Sequence, residues 1–243
     1  MDACNPRASR TVNARDLILV SYIIRQECLA YSASFVIGSL LMFGLMVMYS
    51  PAHAESNSSR GGDILHVQMT PAICALDPNR KKQRKCLEGY ALTVAGLVPE
   101  TMRAGCETNS SAILPPLQAK VVARIIPDEA SRIQLWRSVG GCMSMSAVQY
   151  FRTIINYAQR LKIPAVLTDA SSHTIQRPTL LAQFLKLNSG LPADGIEFHC
   201  QSNHGTTVLT HVSICYNSNG TYKACANHEI SNCPKSFTIQ GTY

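Results

Sequence analysis

Leu92-Thr93-Val94-Ala95-Gly96-Leu97-Val98-Pro99 (LTVAGLVP) and Gln134-Leu135-Trp136-Arg137-Ser138-Val139-Gly140-Gly141-Cys142 (QLWRSVGGC) decide how this chain is read. Tyr90, Leu92 and Val94 recur at the period of two that a half-buried strand requires, and the run ends at Gly96. The second stretch carries the only tryptophan of the chain. Across the two, Gly96, Pro99 and Gly140 bend the backbone, while Trp136 and Cys142 pin it.

Outward from these stretches the pattern mixes both periodicities. Leu65, Val67 and Met69 alternate as a strand, and Asn79 to Lys85 (NRKKQRK) form a basic loop between Cys74 and Cys86. Pro115-Pro116 opens a short helix carrying Leu117, Val121 and Ile125, which Pro127 stops; a further helical turn starts at Asp128 and reaches Trp136. Ser146 and Gln149 form a capping box. Behind it Ala147, Phe151, Ile154, Ala158 and Leu161 make one buried stripe, and Pro164 ends the helix. A shorter helix runs from Pro178 to Leu187, closed by Gly190. Then the period returns to two, with strands marked by Ile196, Phe198 and Cys200, by Val208, Val212 and Ile214, and by Phe237 and Ile239. This order predicts an α+β fold with a mainly antiparallel sheet flanked by helices.

With 46% hydrophobic and 15% charged residues, the chain has the makeup of an ordinary globular domain rather than a disordered or fibrous one. A net charge of +7 suits an anionic partner, although secreted proteins without one often share it. Residues 1–54 read as a leader: Phe35 to Tyr49 is almost unbroken apolar sequence, and Pro51-Ala52-His53-Ala54 supplies a small-residue cleavage site before Glu55. An uncleaved signal anchor is the alternative. Cys4 and Cys28 fall in the leader, and residues 55–243 keep an even set of eight cysteines, the mark of a disulfide framework in an oxidising, extracellular or periplasmic compartment. No C-x-x-C pair supports a metal site, so neither metal nor cofactor is expected.

LTVAGLVP resembles the first signature of the ribonuclease T2 family, F-T-x-H-G-L-W-P, and QLWRSVGGC resembles the second, H-E-W-x-K-H-G-x-C. The surroundings agree: Tyr150-Phe151-Arg152-Thr153 with Leu161-Lys162-Ile163-Pro164, then Leu187 to Pro192, Cys200, and Leu209 to Cys215, where the family often has Glu at the place of His211. The resemblance runs from about Leu65 to Cys233. It implies the ribonuclease T2 fold, and by the family's pattern the bridges Cys106–Cys142, Cys200–Cys233 and Cys215–Cys225, leaving Cys74 to pair with Cys86.

The family's reaction is attack of a ribose 2′-hydroxyl on the adjacent phosphorus, which leaves a 2′,3′-cyclic phosphate. It needs a base, an acid and a cation near the phosphorane oxygens. The resemblance places Ala95 and Val139 at the two signature histidines, Ser138 at the lysine, Leu135 at the glutamate and Gln134 at the upstream histidine. Ala, Leu and Val can neither move a proton nor carry charge, so these positions predict a non-catalytic relative. Val98, at the family's tryptophan, thins the substrate-side wall.

Six histidines follow the leader, His66, His173, His199, His204, His211 and His228. His211, with His199 and His204 just upstream, is the candidate for a substitute acid/base pair; the plainer alternative is exposed or strand-face histidines satisfied by water. Arg80, Lys81, Lys82, Arg84 and Lys85 could grip phosphates, or form a solvated loop. Trp136 could stack a base, or lie in the core. Asn57-Ser58-Ser59, Asn109-Ser110-Ser111 and Asn219-Gly220-Thr221 match the glycosylation sequon. Three functions stay open: a binding module for a protein partner or, weakly, RNA; a ribonuclease with a relocated acid/base pair; and a structural envelope protein. An apolar Leu135–Val139 surface would suit the protein contact.

Overall fold

The computed structural model describes residues 61–242 other than 103, 204 and 227–230. The expected leader, 1–54, and the candidates His204 and His228 lie outside these residues.

Alternation makes the first strand. In β1 (Asp63–Met69) Leu65, Val67 and Met69 turn into the core. A proline suited to a helix's first turn then sets α1 (Thr70–Leu76). The basic segment is not an open loop: it folds as a 3-10 turn (Pro78–Lys82) and the short helix α2 (Arg84–Leu87). β2 (Leu92–Pro99) runs past Gly96 to Pro99 because a bulge restores its pairing with β1. α3 (Pro116–Val122) buries Val122; of the expected apolar residues Leu117 is 76% exposed, Val121 is half-buried, and Ile125, beyond the helix, packs against the core. α4 (Glu129–Val139) extends beyond Trp136, and α5 (Ala147–Arg160) carries the capping box between Ser146 and Gln149. After it come β3 (His173–Gln176), α6 (Arg177–Leu187), β4 (Ile196–Asn203), β5 (Thr206–Tyr216) and β6 (Ser236–Ile239).

The sheet order is β2-β1-β5-β6-β3, with β4 also paired to β5. All pairings are antiparallel except β5 with β6, which meet in parallel at Val208 and Thr238, so the sheet is mixed. One face is apolar and packs with Trp136, Tyr150, Phe151 and Ile154 from the helices. Four disulfides close, Cys74–Cys86, Cys106–Cys142, Cys200–Cys233 and Cys215–Cys225, as the resemblance implied.

Tyr150 ties the helices to β2. Its ring is fully buried beside Trp136, and its hydroxyl donates to the Leu97 carbonyl at 2.7 Å and accepts from the Leu97 N–H at 3.3 Å. Tyr150→Phe is expected to lower the unfolding free energy by about 1–2 kcal/mol, the usual size for a lost buried hydrogen bond. Urea titration of both proteins measures it, and an unchanged midpoint would mean that the bond contributes nothing.

Candidate functional site

The two signature stretches meet where β2 faces α4. On β1, His66 pairs with Gly96 and Val67 with Val94, which leaves Ala95 as the extra residue of a bulge. A bulge re-aims its side chain out of the ladder, a device common next to active sites. Here it presents an exposed methyl group. Leu135 lies over Gly96: its Cδ1 is 2.6 Å from where a Cβ on Gly96 would stand, so a larger residue there would displace the Leu135 side chain.

The other positions matched to the family's catalytic groups scatter in exposure. Gln134 and Ser138 face solvent, and the Ser138 hydroxyl donates to the Leu135 carbonyl at 2.8 Å. Val139 is 2% exposed and Leu135 packs against the core, so the expected apolar Leu135–Val139 surface does not exist. Trp136 is buried as well, with its indole N–H donating to Ser110 Oγ at 3.0 Å, and offers no face to a base. Gly141 donates its N–H to the Cys106 carbonyl at 2.7 Å; a Cβ there would strike residues 106 and 107, which explains the small residue at this bend.

The sheet face opposite the apolar core carries the polar chemistry. Register puts His66 opposite Ser213, Gln68 opposite His211, and His199 opposite His211. His66 Nδ1 and His199 Nε2 both bond Ser213 Oγ, at 2.8 and 3.0 Å, and Glu197 lies 3.8 Å from His199. His211 Nε2 meets Gln68 Nε2 at 3.2 Å, and Lys85 donates to Gln68 Oε1 at 2.7 Å. That Lys85 bond makes the far end of the amide a donor, so His211 Nε2 is the acceptor and carries no proton. Burial is the main reason His66 and His211 are pushed down to about 4; for His66 the His199 ring adds, and for His211 the His66 and His199 rings, Arg80 and Lys85. Burial also lowers the Lys85 ammonium.

A cavity of about 200 Å³ opens between these groups and α4, lined by Gln68, Arg80, Lys85, Ala95, Asp128 and Ser131 among others. Of the basic candidates, the structure thus brings Arg80 and Lys85 to the cavity beside Ala95. Lys81 and Lys82 stand exposed on the 3-10 turn, and Arg84 pairs with Glu88. His173 lies on β3, at the far end of the sheet. His211 and His199 lie opposite each other on β5 and β4, with His66, one of the six histidines that follow the leader, beside them, whereas Gln68 and Ser213 escaped the sequence reading. Part of their signal was present: Gln68 separates Val67 from Met69, and Ser213 separates Val212 from Ile214, yet both polar residues are buried. Among the described residues no group of three or more His, Cys, Asp or Glu is arranged to hold a metal.

No protein-family model matches the chain. Among curated proteins it is similar to ribonuclease S-7 of Pyrus pyrifolia, 26% identical over 215 residues, which span 80% of this chain and 88% of that protein. Among solved structures, ribonuclease MC1 from the seeds of bitter gourd superposes with a TM-score of 0.56 at 16% identity, over 72% of this chain and 98% of that one. The self-incompatibility-associated SF11 ribonuclease of Nicotiana alata gives 0.57 at 12% identity, over 75% and 97%.

Proposed function

From a chain that is a relative of the ribonuclease T2 family in fold and in sequence, we propose a function of binding without cleavage, in an oxidising compartment reached by secretion. The observation that carries it is the bulge at Ala95: a bulge re-aims the side chain at this position out of the ladder, and that side chain is an exposed methyl group. Val139, turned into the core, cannot complete an acid/base pair. A well-placed proton-transfer group contributes roughly 10²- to 10⁴-fold, so two missing groups leave little turnover.

Two surfaces suit partners. Arg80 and Lys85 beside the cavity would hold phosphates, weakly and without base selectivity, since Trp136 is inside. Ile113, 84% exposed, borders a second cavity of about 300 Å³ with Leu114, Ile133 and Arg137, and would suit a protein contact. A second reading, ribonuclease action from a relocated pair centred on His211, is favoured by the three imidazoles gathered on one sheet face. Purified protein incubated with RNA at pH 5 and pH 7 is expected to release no 2′,3′-cyclic phosphate ends. Ends that appear, and vanish in His211→Ala, would replace the first reading with the second.

A further inference from the structure

The cavity at Ala95 has cations on one side and, behind them, a histidine that can set their availability. At neutral pH the chain Lys85–Gln68–His211 is closed: the ammonium donates to Gln68 Oε1, and the Gln68 amide donates to His211 Nε2. Each of these two bonds pairs one donor with one acceptor. A proton placed on His211 Nε2 would confront the Gln68 amide with a second donor, which only rotation of the amide resolves. After rotation Gln68 Oε1 accepts from His211, while the amide N–H₂ turns towards Lys85. Two donors, the Lys85 ammonium and the Gln68 amide, then stand at the cavity without an acceptor, and Arg80 lines the same space.

We propose that this cavity is an oxyanion site, for a free anion of the phosphate or sulfate class or a backbone phosphate of nucleic acid, whose occupation is coupled to protonation of His211 through the Gln68 amide. The inference rests on the binding reading above and adds its control by a proton. It makes His211 a positioning residue, one shell behind the anion. The charged groups around it are His66 on β1, His199 and Glu197 on β4, Lys85 on α2, Arg80 on the 3-10 turn, and Asp128 at the start of α4. His66, His199, Arg80 and Lys85 resist the proton, and a bound anion cancels that resistance. Asp128 opposes the anion from the far wall, held there by the Arg84 N–H at 2.7 Å. Reciprocity then requires that the anion bring a proton with it.

Isothermal titration at pH 5.5 in buffers of different ionisation enthalpy reads that proton directly. Sodium sulfate and a short single-stranded oligothymidine DNA serve as ligands: neither titrates near this pH, and neither offers a 2′-hydroxyl to cleave. Wild type is expected to take up about one proton or somewhat less per anion and to bind roughly tenfold more weakly at pH 7. His211→Gln, checked for native circular dichroism, should lose the uptake and its pH dependence; Lys85→Gln should weaken binding roughly tenfold. Asp128→Asn, which leaves the histidine untouched, should strengthen it severalfold. Uptake with sulfate assigns a free-anion pocket, and uptake with DNA alone assigns the nucleic-acid backbone. Binding without proton uptake, uptake unchanged in His211→Gln, or no binding of either ligand overturns the inference. The cleavage assay is untouched by any of these results, so the non-catalytic reading stands or falls separately.

Discussion

Between pH 6.5 and pH 4 the protein is expected to lose about 4 kcal/mol of stability, and His66 and His211 are the reason. Both rings sit mostly buried on the polar face of the sheet, and both are held near 4 against an ordinary value of 6.5. A group whose folded-state value is depressed takes up its proton first in the unfolded chain. Stability is therefore full above pH 6.5, falls as the unfolded imidazoles charge, and levels off once the folded ones charge near pH 4. At about 1.4 kcal/mol per pH unit each ring contributes roughly 3 kcal/mol. Both rings keep partial exposure, and screening by water brings the pair down to about 4. Urea unfolding at pH 7, 5.5 and 4 measures the loss, and the double variant His66→Gln, His211→Gln should flatten the curve. Equal stability at pH 7 and 4 would mean that the rings are solvated in the folded protein. Sulfate, if it carries a proton into the cavity, should recover part of the loss at pH 5.5 and none at pH 7.

How much of this was legible in the sequence depends on which interaction fixed each element. α5 was readable because the capping box and the stripe through Ala147, Phe151, Ile154 and Leu161 agree, and local signals decide a helix of that length. The stripe still understated the core: Tyr150 and Tyr157 are buried too, on a wider face than one row. α3 misled, since Leu117 obeys the period and faces solvent while Val122 fills the core. β3, with only four residues, carries too short an alternation to stand out, and pairing with β6 creates it. The bulge at Ala95 was hidden for a related reason. A one-residue slip between β1 and β2 reverses which side chains share a face, and only pairing reveals it.

The site divides the same way. The identities at Ala95, Leu135 and Val139 were readable by resemblance, but their exposure was not. Replacing charged groups with apolar ones suggested an open apolar surface. Packing instead drew Val139 inward and laid Leu135 over Gly96, because apolar side chains freed of any polar task move to where water is excluded. His211 was visible as a candidate, while its partners were not: Gln68 and Lys85 lie 143 and 126 residues away in sequence and meet it only through strand register and the Cys74–Cys86 tether.

The largest loss from one bridge is expected at Cys106–Cys142. The unfolded chain gains most freedom when a long loop opens, and this bridge closes a separation of 36 against 10 for Cys215–Cys225. The loop-entropy argument assigns about 4 kcal/mol to the first and about 3 kcal/mol to the second. Cys106→Ala with Cys142→Ala should therefore shift the urea midpoint more than Cys215→Ala with Cys225→Ala. The native contacts around it reinforce that order. The bridge attaches at Cys142, three residues past the end of α4, close to where Gly141 N–H reaches the Cys106 carbonyl and Thr108 N–H reaches the Arg137 carbonyl at 2.8 Å. These backbone bonds can hold the fold once the sulfurs are gone, so the variant should remain native in water and lose only its margin. Equal shifts from the two pairs would show that folded-state strain, not loop size, sets the contribution. A variant that fails to fold would mean that the bridge, rather than packing of Leu135 on Gly96 and Trp136 on Tyr150, holds α4 against the sheet.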